Sequence, residues 1–121
     1  MQTVTSDAVA NALEGYSRYV HYTNDGISTG VKFTLTGDDT TILVTVNTLF
    51  GKSCMYYIRS KHSAVGDTSR ILQQIFANNC YIHLMSDNTF WVNIGSSSNQ
   101  YILLDIIVLH GNIPTISNYN P

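Results

Sequence analysis

The stretch Cys80-Tyr-Ile-His-Leu-Met-Ser-Asp-Asn-Thr-Phe-Trp-Val-Asn-Ile94 decides the fold. Two runs that alternate apolar and polar residues flank Ser86-Asp87-Asn88, a cluster rich in turn formers, which is the pattern of an antiparallel hairpin. With these three residues as the loop and Asn88 in the left-handed conformation, Met85 faces Thr89, Leu84 faces Phe90, His83 faces Trp91, Ile82 faces Val92 and Tyr81 faces Asn93. Cys80, Ile82, Leu84, Phe90, Val92 and Ile94 then share the core side. A two-residue loop would mix core and outer residues on each face, because a slip of one residue turns every side chain over. The outer side carries Tyr81, His83, Trp91 and Asn93. Flat rings beside hydrogen-bonding groups suit a sugar, whose C–H patches stack on the ring while polar neighbours hold its hydroxyls. The same rings would also suit a subunit interface.

The alternation extends along the chain from Tyr16 onward. Strands are expected at Arg18 to Tyr22, Val31 to Thr36, Thr41 to Thr48, Ser53 to Arg59, Cys80 to Met85, Thr89 to Ile94 and Tyr101 to His110. Turn clusters separate them at Asn24-Asp25-Gly26, Gly37-Asp38-Asp39, Phe50-Gly51-Lys52, Ser86-Asp87-Asn88 and Gly95-Ser96-Ser97-Ser98-Asn99. Ser69 to Ala77 reads equally as a helical turn or a strand. Seven or eight antiparallel strands in about 100 residues predict an all-β, two-sheet sandwich of jelly-roll type over residues 17–121.

The run Tyr101-Ile-Leu-Leu-Asp-Ile-Ile-Val-Leu-His110 is apolar on both faces. Ile102, Leu104, Ile106 and Val108 form one side, and Tyr101, Leu103, Ile107 and Leu109 surround Asp105 on the other. One face of each sheet in a two-layer antiparallel fold ordinarily meets water. The second face is therefore expected to pack on another subunit, with Leu103, Ile107 and Leu109 in the contact. Cover from the same chain, by the N-terminal helix or by the tail Ile113 to Pro121, is the alternative. Asp105 needs a partner in that neighbourhood, and Arg59 and Arg18 are candidates.

Residues 1–16 read as a short helix. Ser6 is placed to N-cap it, Asp7 and Glu14 bracket it, and Gly15 is a natural stop. About two turns of helix are marginal alone, so Val9 and Leu13 need an apolar surface, either the domain body or copies of the helix from other chains.

The segment Val4-Thr5-Ser6-Asp7-Ala8-Val9-Ala10-Asn11-Ala12-Leu13 resembles one that recurs, as Val-Thr-Ser-x-Ala-Val-x-x-Ala-Leu, in tail fibre and receptor-binding proteins of bacteriophages and prophages of gut Firmicutes. There it precedes a distal β-rich head and helps knit three chains into a trimer. The resemblance implies a homotrimer, residence in the virion tail after synthesis in the bacterial cytoplasm, and a bacterial cell-surface glycan as partner. It also makes this chain the expected C-terminal piece of a longer fibre protein, with 1–16 as the shaft junction and 17–121 as the head.

Composition narrows the classes further. Charged residues are 12% and the net charge is −2, while Ser, Thr and Asn together make 36 of the 121 residues. Six scattered basic residues form no footprint for nucleic acid or an anionic membrane. No apolar run approaches the ~20 residues of a membrane helix, and no signal-peptide pattern opens the chain. Cys54 and Cys80 read as buried thiols of a cytosolic product, with pairing left open.

Catalysis and metal binding find little purchase. Cys80-Tyr-Ile-His83 has a metal-like spacing, but residues i and i+3 of a strand point to opposite faces. His21, His62 and His110 lack ligands at chelating spacing, and Asp38-Asp39 after Gly37 is a turn. No nucleophile elbow, phosphate loop or dinucleotide fingerprint is present. No enzyme activity, metal or cofactor is expected. Three other readings compete with an adhesive head: a purely structural trimerisation module, a bacterial carbohydrate-binding module, and a fibre-borne glycan hydrolase.

Overall fold

The computed structural model describes residues 18–95 and 100–120, which form nine strands and one short 3-10 turn at Asp67–Ser69. Val9, Leu13 and the expected N-terminal helix lie outside the described residues. The strands are β1 Arg18–Thr23, β2 Gly30–Thr34, β3 Thr41–Thr48, β4 Ser53–Arg59, β5 Ile71–Asn78, β6 Tyr81–Ser86, β7 Thr89–Asn93, β8 Ile102–His110 and β9 Thr115–Tyr119. Two antiparallel sheets result. The larger runs β1-β8-β3-β4-β5 and the smaller β6-β7-β2-β9.

Each sheet turns one side to a shared core, as period-two alternation requires. Val31, Phe33, Ile82, Phe90 and Val92 of the smaller sheet meet Ile42, Val44, Val46, Ile58, Leu104 and Ile106 of the larger, all buried. Phe33 and Phe90 face each other across β2 and β7 with stacked rings 5.5 Å apart. The sheets are also tied at the rims. Tyr22 Oη of β1 donates to Asn118 Oδ1 of β9 at 2.6 Å. Toward the other edge, the Cys54 and Cys80 Sγ atoms sit 3.2 Å apart as buried free thiols. The neighbouring sulfur and the apolar surroundings push the Cys54 thiol well above its ordinary range.

Buried Asn24 fastens the β1–β2 turn to the start of β8. Its Nδ2 donates to the carbonyls of Ser28 and Gln100 at 3.0 and 2.9 Å, and its Oδ1 accepts from Ile102 N at 2.8 Å. Asp25 Oδ1 accepts from the backbone N–H groups of Ile27 and Ser28. These bonds hold its carboxyl below the usual carboxylate range.

The hairpin register holds at its four expected pairs from Tyr81↔Asn93 to Leu84↔Phe90. The loop itself differs. Ser86 rather than Met85 faces Thr89, a bulge falls at Met85, and Asp87, not Asn88, takes the positive φ of 25°. The extra residue of the bulge absorbs the slip that a two-residue loop would otherwise cause, so both faces stay sorted. Leu84 is not a core residue: it is 41% exposed. It sits on β6, a sheet edge with a neighbour on one side alone, next to the bulge.

The ambiguous segment is strand β5, paired with β4 through a bulge between Met55 and Tyr56. The tail holds an unforeseen strand, β9, which extends the smaller sheet beside β2 and therefore does not cover the outer side of β8. Replacing Phe90 by Ala should remove half of the central ring pair and leave a cavity, lowering unfolding free energy by about 3–5 kcal/mol in urea denaturation.

Candidate functional site

The outer side of the smaller sheet is built from ladder rows, each set by backbone pairing. One row runs Tyr81, Asn93, Gly30, Tyr119. The next runs His83, Trp91, Lys32, Ser117. A third places Thr89 opposite Thr34, with hydroxyls 2.9 Å apart. All four residues expected on this face are brought together.

Gly30 shapes the site. A Cβ there would lie 2.9 Å from Trp91 Nε1 and 3.1 Å from the Tyr119 carbonyl oxygen, so the Nε1 edge of the indole packs where any larger residue would put its side chain. Trp91 Nε1 is closed off from solvent, with no hydrogen-bond partner among the described residues. Tyr119 meets the indole edge-on, centroids 5.8 Å apart at 71°, while His83 lies 5.6 Å away on the other side and Tyr81 continues the row 6.3 Å beyond His83. The four rings form a continuous aromatic strip across the sheet. Lys32 stands within it, its Nζ 5.7 Å from the Tyr119 ring centroid. Asn93 Oδ1 is engaged by Gly95 N at 2.8 Å.

Sequence reading missed Tyr119, Gly30 and Lys32. The alternation Gly30-Val-Lys-Phe-Thr34 already places Gly30 and Lys32 opposite the core residues Val31 and Phe33. Their meeting with Trp91 depends on the long-range pairing of β2 with β7, which no local pattern encodes.

The larger sheet presents a different outer side. Tyr19, Ile107, Leu43 and Tyr57 form an apolar row across four strands, and Leu103, Met55 and Phe76 lie on the same side. Tyr19 is 65% exposed, Phe76 45%, Leu109 44% and Ile107 37%, with Leu103 half-buried.

Asp105 sits on this side with partners other than those expected. Arg18 donates to the Gly111 carbonyl and Arg59 pairs with Asp39 at 2.7 Å. Asp105 instead accepts from Tyr19 Oη, and His21 Nδ1 lies 2.7 Å from its Oδ1. Thr23 Oγ1 is 3.1 Å from His21 Nε2. Strand pairing explains the choice, because His21 is directly opposite Asp105, with Tyr19 and Thr23 two residues to either side on the same face. Partial burial pulls the Asp105 carboxyl upward, but the hydrogen bonds from Tyr19 and His21 outweigh it and hold the group below the usual carboxylate range. Tyr19 is pushed up in turn by its bond to Asp105.

His62 Nε2 approaches Asp39 at 3.7 Å, and no three candidate metal ligands cluster among the described residues. Asp38 accepts from Ser63 N and Oγ at 3.1 and 3.0 Å, bonds that tie the β2–β3 turn to the β4–β5 connection. Compared with family models, curated proteins and solved structures, the chain finds no match.

Two outcomes follow from this geometry. Gly30→Ala should lift the indole off the sheet and shift the emission of Trp91, the single tryptophan of the chain, toward longer wavelength as it meets water. An unchanged spectrum in a folded variant would contradict the close approach. A carboxylate depressed in the folded state contributes stability above its unfolded pKa of about 4 and loses it as pH falls through the lower folded value. Thermal unfolding of Asp105→Asn should therefore decline less steeply between about pH 5 and pH 2 than that of the parent.

Proposed function

We propose that this chain is the adhesive head of a homotrimeric bacteriophage tail fibre, and that it binds a bacterial surface glycan on the Trp91 face of the smaller sheet. The observation that carries the glycan reading is the Trp91 indole, with its Nε1 packed at Gly30 and the Tyr119 ring set across it at 71°. Two rings set across each other suit stacking against the C–H face of a pyranose on one and edge contact with the other. The ring strip lets successive residues of a polysaccharide share the same sheet.

Two outer faces of unlike character support a division of labour. The Trp91 face mixes rings with Lys32, Asn93, Ser117 and threonines. The larger sheet shows the uninterrupted row of Tyr19, Ile107, Leu43 and Tyr57, and monomeric proteins rarely leave such apolar area in water. A symmetric assembly covers it in the ordinary way. The tail strand β9, seated on the other sheet, leaves Leu103, Ile107 and Leu109 available for that contact. The pairing of β1 with β8 and β2 with β7 is shared with a jelly roll, whereas β3-β4-β5 and β6-β7 each run as hairpins within one sheet. The tail-fibre setting itself rests on the Val4–Leu13 resemblance, and three weak sites on one fibre tip gain avidity from copy number.

Paired variants test the assignment. Trp91→Ala should weaken binding to host cell-wall polysaccharide about tenfold per site, equivalent to ~1.4 kcal/mol, while light scattering still reports a trimer. Ile107→Lys should dissociate the trimer and leave the circular dichroism of the sheets intact. If Trp91→Ala dissociates the assembly instead, the face is an interface and the adhesive reading fails.

A further inference from the structure

The aromatic strip carries a charge that the glycan reading alone does not use. Lys32 is the middle residue of β2, flanked in its row by Trp91 on β7 and Ser117 on β9. Among the described residues it makes no ion pair. The other basic side chains with described partners are engaged differently: Arg59 with Asp39, Lys61 with Asp87, Arg18 and Lys52 with the backbone carbonyls of Gly111 and Ile94. Its row and the neighbouring ladder positions, Asn93, Thr34, Thr89, Ser117 and Tyr119, carry no carboxylate. A lone ammonium has therefore been placed against a ring, in the centre of a sheet face, in a chain where only 12% of residues are charged.

We propose that the Trp91 face takes an anionic saccharide, whose carboxylate or phosphate group is held by Lys32 while its ring stacks on the indole. This assignment rests on the glycan reading given above. A pyranose stacked on Trp91 projects its acidic substituent beyond the ring edge, and Lys32 occupies the adjacent ladder position on β2. Its ammonium, 5.7 Å from the Tyr119 ring centroid, is within the strip that such a saccharide would cover. The ammonium acts as a mobile point charge, suited to either anion and without the planar fork that would demand one geometry. A neutral sugar would leave it idle, and an amino sugar would meet repulsion. The contact is open to solvent, so it contributes selectivity rather than most of the affinity, and salt screens it.

The test uses three probes in calorimetric titration: oligogalacturonate, the same oligomer with its carboxyl groups reduced to alcohols, and a phosphorylated mannan. The parent protein should bind at least one acidic probe about fivefold more tightly than the reduced oligomer at low salt. That preference should shrink toward unity in 0.5 M salt, where screening is nearly complete at contact-plus-one-water distances. Lys32→Gln should cut binding of the acidic probe about fivefold more than binding of the reduced oligomer, so that the preference is erased, and Lys32→Arg should retain it. Preference for galacturonate over mannan phosphate, or the reverse, identifies the anionic group. Trp91→Ala should weaken every probe alike. Equal binding of acidic and reduced oligomers, unaffected by Lys32→Gln, overturns the anionic assignment while the glycan reading stands. Binding of none of these probes, together with no binding to host cell-wall polysaccharide, overturns both.

Discussion

Everything in this structure hangs on the alternation of β8. The strand pairs with β1 on one side and β3 on the other, so it joins the first described strand to the centre of the larger sheet. Ile102, Leu104, Ile106 and Val108 are buried against the smaller sheet, and that commits Leu103, Asp105, Ile107 and Leu109 to the opposite side. A strand cannot bury one set without presenting the other. The apolar outer row is thus a direct consequence of the same register that makes the core. Asp105 fits there because Tyr19 and His21 arrive with β1 to hydrogen-bond its carboxylate.

The smaller sheet solves the same constraint with a different outcome. Its inward residues, Phe33 and Phe90 above all, are as apolar as those of the larger sheet, but its outward positions alternate rings with polar groups. Gly30 is the decisive small residue. A glycine at the first residue of β2 brings no side chain of its own to pack and loses more backbone freedom on folding than any other residue. In return, the Trp91 indole lies against the backbone, and Tyr119 closes beside it from β9. A glycine in mid-sheet often marks a place where something approaches the backbone closely. Here that something is the Nε1 side of the Trp91 indole.

Much of this was legible in the residues. The β6–β7 register and the sorting of Tyr81, His83, Trp91 and Asn93 onto one side follow from local alternation, and the bulge at Met85 preserved them against a misjudged loop. The double-sided character of β8 is equally local. Leu84 escaped because exposure depends on whether the facing sheet reaches that far, which alternation does not report. Strand β9 escaped because Thr115-Ile-Ser-Asn-Tyr119 has a single inward apolar residue, Ile116, and owes its strand state to pairing with β2. The partners of Asp105 escaped for a like reason: His21 lies 84 residues away in the chain and meets it only through strand pairing.

The two outer faces are proposed to serve different partners, saccharide on the Trp91 side and other copies of the chain on the Ile107 side. Because Trp91 is the single tryptophan, acrylamide quenching of its fluorescence reads that face alone. Quenching should stay constant as the protein is concentrated through its assembly range, and then fall when cell-wall polysaccharide is added to the assembled protein. Loss of quenching on assembly, with no further change on adding polysaccharide, would contradict it.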